Sequence, residues 1–208
     1  MSKYIRVVAL ALSLAFTNAT TLAATLAASV GQPAPPFSAS DTSGKTVSPA
    51  DFKGRTVVLE WVNPECPYVR KHYDSANMQA TQKAATGLGV VWLSVNSTHA
   101  SHVDFKRPAE MAAWTKRQGA APTATLMDGD GTIGRAYGAR TTPHMYVIDA
   151  KGTLVYAGGI DDKASANPAD VKSAKNHVNA ALADVLAGRA VIQPATRAYG
   201  CSVKYADS

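Results

Sequence analysis

Thr56-Val57-Val58-Leu59-Glu60-Trp61-Val62 runs straight into Asn63-Pro64-Glu65-Cys66-Pro67-Tyr68-Val69, and this junction decides the fold. The first seven residues are mostly apolar on consecutive rather than alternate positions. That pattern predicts a strand buried on both faces. Pro67 predicts a helix start, because proline's missing N–H is an orphan at the first helical position in any case. Cys66 therefore falls at, or one residue before, a helix N-terminus. Aligned peptide dipoles there favour thiolate over thiol. A thiol of pKa about 8.5 is only about 3% ionised at pH 7, and lowering the pKa to about 7 makes it half ionised. Arg70 and Lys71 add positive charge in the turn after Cys66, and Glu65 opposes them.

Outward from this joint, the helix carries Val69 and Tyr73 on one face, and Asp74-Ser75 is expected to break it. A second helical piece should run from Ala76 to Thr86, stopped by Gly87 and Gly89. Val90-Val91-Trp92-Leu93-Ser94-Val95 reads as another buried strand, and the helix between makes the two strands parallel. Pro108 opens a helix to about Gln118. Thr123 to Met127 is a short strand, and 131–138 a turn with a brief helix. Met145 to Asp149 and Thr153 to Gly158 form a hairpin across Ala150-Lys151-Gly152. Asn167-Pro168 should cap one last helix with Val171, Ala174, Val178, Leu182 and Val185 along a face, ended by Gly188. On the N-terminal side, 30–40 is Pro-rich and extended. The segment 41–47 is a turn between short strands, and Ser48-Pro49 starts a helical turn. The order predicts a mixed α/β sheet flanked by helices, in one domain at 28–188, followed by an extended C-terminal tail at 189–208.

The N-terminus has the layout of a secretory signal: Lys3 and Arg6, then an apolar run from Val7 to Phe16, then small-residue cleavage choices near Ala23 and Ala27. Ten apolar residues are too few to span a bilayer, which needs about 20. The expectation is a leader at 1–27, export without stable membrane insertion after cleavage, and a periplasmic address if the source is Gram-negative. Removing Lys3 and Arg6 takes the net charge from +6 to +4. The remaining bases are scattered, with no Lys/Arg run and no interleaved aromatics, so nucleic acid is not an expected partner.

Two cysteines, Cys66 and Cys201, are an even count in an exported chain, which predicts a disulfide. Twelve residues separate Gly188 from Cys201 and span up to roughly 40 Å when extended, so Cys201 can reach Cys66. The bond is either a permanent staple, worth about 4–5 kcal/mol in the chain-entropy view, or a working redox pair. A loose tail that approaches and leaves would suit the second. Gly129-Asp130-Gly131-Thr132-Ile133-Gly134 matches a dinucleotide fingerprint only in its glycines and reads as a turn. His99 and His102 lack further ligands for a metal. His144 reads as a strand-entry histidine, with tuning of Cys66 as the alternative.

Asn63 to Arg70, the pair Asp161-Asp162, and the tail Gly200-Cys201-Ser202-Val203-Lys204-Tyr205 together resemble the peroxiredoxin-like branch of the redoxin proteins, the alkyl hydroperoxide reductase/thiol-specific antioxidant group. Val30 to Phe37 and Tyr137 to Pro143 resemble it too. The resemblance implies a thioredoxin-like fold. It makes Cys66 the active-site thiol, Asn63, Pro67, Thr142 and Pro143 its neighbours, and Pro143 a cis-proline facing it. It also implies an exported antioxidant oxidoreductase: Cys66 attacks a peroxide or disulfide, Cys201 resolves, and a thioredoxin-type partner reduces the pair. No cofactor or metal is implied. Two departures stand out. Asn63 occupies the first cysteine position of Cys-x-x-Cys, so no vicinal dithiol exists. Leu59 and Asn63 stand where Pro-x-x-x-Thr-x-x-Cys would have Pro and Thr. Thiol–disulfide exchange without peroxidase activity, and a non-catalytic module with a structural bridge, are the alternatives.

Overall fold

The structure, a computed structural model, describes residues 27–206. The expected leader lies outside the described residues apart from Ala27. Among the described residues no helix is long and apolar enough to cross a membrane.

A short antiparallel pair, β1 (Ala39–Ser40) and β2 (Thr46–Val47), opens the chain, its turn tied by the Asp41 carboxylate to the Ser43 and Lys45 N–H groups. A 3-10 turn at Pro49–Phe52 follows. The chain continues as β3 (Val57–Trp61), α1 (Pro67–Asp74), α2 (Asn77–Gly87), β4 (Val91–Asn96), α3 (Pro108–Arg117), β5 (Ala124–Met127) and α4 (Thr132–Tyr137). Then come β6 (Thr141–Thr142), β7 (His144–Ile148), β8 (Leu154–Gly158), α5 (His177–Leu186) and β9 (Cys201–Ser202). The main sheet has the order β5-β4-β3-β7-β8. β3, β4 and β5 are parallel, with Val57 opposite Val91 and Trp61 opposite Val95. β7 returns antiparallel to β3, and β8 is its hairpin partner. The expected mixed sheet with a βαβ unit at its centre is present.

Every residue of β3 and β4 is buried. Because side chains alternate along a strand, the two faces feed two cores. Val58, Trp92, Met145 and Val147 pack with Val69, Tyr73 and Val178 on one side, and Cys66 belongs to this core. Leu59, Trp61, Leu93, Val95 and Tyr146 pack with Tyr137 and Val203 on the other. Filling both faces is what the unbroken apolar run requires.

Two expectations are corrected. The last helix is two pieces: Pro168–Ser173 is a 3-10 turn capped by Asn167, and α5 starts afresh with Asn176 accepting from the Asn179 N–H. Between them the chain is extended. The Asp162 carboxylate takes the Lys175 N–H and the Ile160 carbonyl takes the His177 N–H. A second asparagine cap thus outweighs the apolar spacing across Ala174. The tail is not loose either. Asp184 binds Arg189 and the Ile192 N–H, the Thr196 N–H donates to the Ala157 carbonyl while the Ala157 N–H donates to the Pro194 carbonyl, and β9 pairs antiparallel with β6.

Candidate active site

Cys66 is the N-cap of α1, extended at φ −75°, ψ 122°, with Pro67 in the first helical position. Asn63 explains how the strand turns into that cap. Its carbonyl oxygen accepts the Glu65 N–H at 2.9 Å, its amide binds Asp104 at 2.9 Å, and its backbone carbonyl accepts the Cys66 N–H at 3.1 Å. Asn63 is buried. Its short polar side chain builds the turn as such residues do elsewhere.

Thr142-Pro143 is a cis peptide, as the resemblance implied, and it faces Cys66: the Cys66 Sγ lies 3.1 Å from the Thr142 carbonyl oxygen. Thr142 is also the register partner of Cys201 across β6 and β9. Cys66 and Cys201 are disulfide-bonded, with their Cα atoms 5.9 Å apart. All six expected site residues therefore converge. The approach requires Gly200. Its φ is +140°, and a Cβ there would overlap the Thr142 carbonyl. The Thr142 hydroxyl is buried with no hydrogen-bond partner.

The cations expected to act on Cys66 are engaged elsewhere. Arg70 pairs with Glu65 at 2.6 Å and donates to the Pro64 carbonyl. Lys106 also binds Glu65, at 2.9 Å, and that hydrogen bond is the main cause holding the Glu65 carboxyl below its usual range. Lys71 is fully buried and turned to Asp161, at 3.3 Å, the Lys163 carbonyl, at 2.6 Å, and the Tyr199 hydroxyl, at 3.2 Å. What favours a thiolate at Cys66 is the start of α1 itself. His144 is the strand-entry residue of β7, and the alternative of tuning Cys66 falls. It sits opposite Trp61, on the sheet face away from the Cys66 core, and its Nδ1 contacts the Tyr146 hydroxyl and accepts the Arg140 N–H. Burial pushes its pKa down to about 4.

Two buried polar clusters escaped sequence reasoning. In the first, Tyr199 donates to Asp161 and lies 3.1 Å from the His72 Nε2, while Asn77 donates to the His72 Nδ1 at 2.9 Å. That leaves His72 neutral with its proton on Nε2. Burial, only partly offset by Asp161, pushes its pKa down to about 4. Because Tyr199 precedes Gly200 and Cys201, this cluster fixes the tail to α1 beside the disulfide. In the second, Glu60 on β3 accepts from Tyr73, Trp92, Gln82 and Ser94. Burial raises its pKa, and the four neutral donors offset that only in part. In sequence, Lys71 looks no different from its exposed neighbour Arg70. Only the depth of α1 separates them.

A polar cavity of about 860 Å³ opens beside Gly200, lined by Tyr68, Thr141, Asp161, Arg197 and Tyr199 among others.

The comparisons agree with this geometry. The chain is 28% identical over 139 residues to a thiol:disulfide interchange protein DsbE of Yersinia pestis, covering 64% of this chain and 67% of that one. It is 25% identical over 126 residues to a thiol-disulfide oxidoreductase ResA of Bacillus thuringiensis, covering 61% and 67%. An uncharacterised conserved protein from Geobacillus kaustophilus superposes with a TM-score of 0.73 at 25% identity, covering 86% of this chain and 94% of that one. Residues 30–157, which hold Cys66, the cis-proline and the whole five-stranded sheet but for Gly158, match the AhpC/TSA family, and the chain belongs to that family.

Proposed function

We propose that the protein is a thiol–disulfide oxidoreductase whose working group is the Cys66–Cys201 pair. The carrying observation is the bond itself, between a helix N-cap cysteine and a strand facing the cis-proline. A disulfide with one sulfur at a helix start has a stabilised leaving thiolate, which is what exchange needs. The partners are a disulfide- or dithiol-bearing substrate and a thioredoxin-type reductant, in an oxidising compartment outside the cytoplasm. The two relatives whose names carry thiol–disulfide activity support this over peroxide reduction. So does the site, since Cys66 is 2% exposed.

Tail anchoring on both sides of Cys201 favours a structural staple as the second reading. Equilibration in glutathione buffers decides between them. The exchange reading expects a potential above about −300 mV, and a staple expects one below it. Peroxide consumption by the reduced protein should match that of Cys66→Ser. A clear excess over that variant would restore peroxide as the substrate.

A further inference from the structure

We propose that Cys201, and not Cys66, is the sulfur through which the pair meets its partner, with Cys66 as leaving group and resolving thiol. This rests on the exchange reading and reverses the order the resemblance implied.

Access comes first. Thiol–disulfide exchange needs an incoming thiolate in line with the bond it breaks, so the attacked sulfur must be reachable. Cys66 is buried in the core cluster that also holds Val69 and Tyr199, with Tyr68 packed against it. Cys201 is partly exposed, next to exposed Ser202, and directly follows Gly200, which lines the polar cavity. Of the two sulfur-bearing residues, Cys201 is therefore the one that solvent, and an incoming thiolate, reaches.

Leaving ability points the same way. The sulfur not attacked departs as a thiolate, and departure is faster when that thiol has the lower pKa. Cys66 caps an eight-residue helix at its N-terminus, whereas Cys201 belongs to a two-residue strand with no helix behind it. The incoming thiolate therefore bonds to the Cys201 sulfur, the Cys66–Cys201 bond breaks, and its electron pair stays on Cys66. A second thiol then attacks the mixed disulfide, releasing the oxidised partner and leaving Cys201 reduced. In the opposite direction, Cys201 attacks a substrate disulfide and Cys66 displaces the substrate thiol from it.

Position completes the case. Tyr199 on one side, and Val203 and Tyr205 on the other, keep Cys201 over Cys66 through contacts independent of the bond. Val203 is buried and donates its N–H to the Arg140 carbonyl, and the Tyr205 hydroxyl donates to the Ala139 carbonyl. Reduction need not release the tail. Cys201 thus supplies, from 135 residues away, the outer sulfur that a Cys-x-x-Cys would place at Asn63.

The oxidised full chain is treated with excess glutathione, acid-quenched and blocked with N-ethylmaleimide, and its peptides are mapped by mass spectrometry. Glutathione is expected on Cys201 and maleimide on Cys66, with the Cys201 adduct in roughly tenfold excess. An adduct mainly on Cys66, or an even split, overturns the assignment while leaving exchange standing. A Cys66–Cys201 bond left intact by the glutathione removes both. In a second arm the single variants react with 5,5′-dithiobis(2-nitrobenzoate), their fold checked by circular dichroism. Cys66→Ser should react roughly tenfold faster than folded Cys201→Ser, and equal rates overturn the proposal.

Discussion

Cys66 stands where a buried strand becomes a helix, inside one continuous βαβ unit, whereas Cys201 stands on a two-residue strand that sequence-local structure would not hold. The first cysteine is placed by burial: residues 57–62 have nowhere to go but the sheet centre. The second is placed by contacts that cross the chain, chiefly polar ones through Tyr199 to α1 and the loop at Asp161, with β6 pairing and the burial of Val203 beside them. Burial of apolar area is tolerant of small errors. A buried ion pair fails badly when one member is lost. The two halves of the site should therefore break differently.

The largest expected effect is at Lys71. Replacing it with Ala leaves the Asp161 carboxylate buried without its ammonium, which typically costs about 3–5 kcal/mol. Chemical denaturation of the oxidised protein should show that loss. Hydrogen exchange should place the earliest opening at 196–203 rather than in β3. Equal loosening of both halves would refute the division.

Acid comes next. His72 has a folded pKa of about 4, below its unfolded value of 6.5. The unfolded chain therefore binds its proton first. Stability is whole above pH 6.5 and is lost as pH falls toward 4, by about 3 kcal/mol in total for this residue. His144 titrates in the same window and the same direction. Glu60 and Asp128, both raised by burial, bend the curve the opposite way. Comparing His72→Gln with the wild type cancels those contributions. The variant should lose about 1.4 kcal/mol per pH unit of slope between pH 6 and 5. An unchanged slope would show that His72 is not held neutral by the Tyr199 cluster.

The same division explains what the sequence made legible. The strand at 57–61, the helix start at Pro67, the parallel crossover to β4 and the 144–158 hairpin all follow from apolar runs and Pro/Gly punctuation. So does the reach of Cys201. Illegible was whatever depends on which polar residues share a pocket. Lys71 and His72 look like solvent-facing helix residues, and Tyr199 like part of a featureless tail. Asn176 competes unseen with a good apolar spacing. The tail's order was missed because, beyond its nearby bonds to Asp184 on α5, it is held by partners far off in sequence: Asp161, α1, β8 and β6.

The smallest of the expected effects tests the Cys201 half alone. Gly200 is far from the βαβ unit in sequence but touches the carbonyl that also faces Cys66. Gly200→Ala must find room for a Cβ against the Thr142 carbonyl at a φ of +140° that alanine avoids. The cost should be about 2 kcal/mol. It is relieved by moving β9 off β6, because Thr142 leads directly into β7, which is paired to β3 in the centre of the sheet. Crosslinking resists that movement in the oxidised protein and not in the reduced one. The variant should therefore shift the glutathione equilibrium toward the reduced pair while β3 and α1 keep their hydrogen-exchange protection. An unchanged equilibrium would mean that the tail strand adjusts without carrying Cys201 with it, and that the two halves of the site are less separable than their contacts indicate.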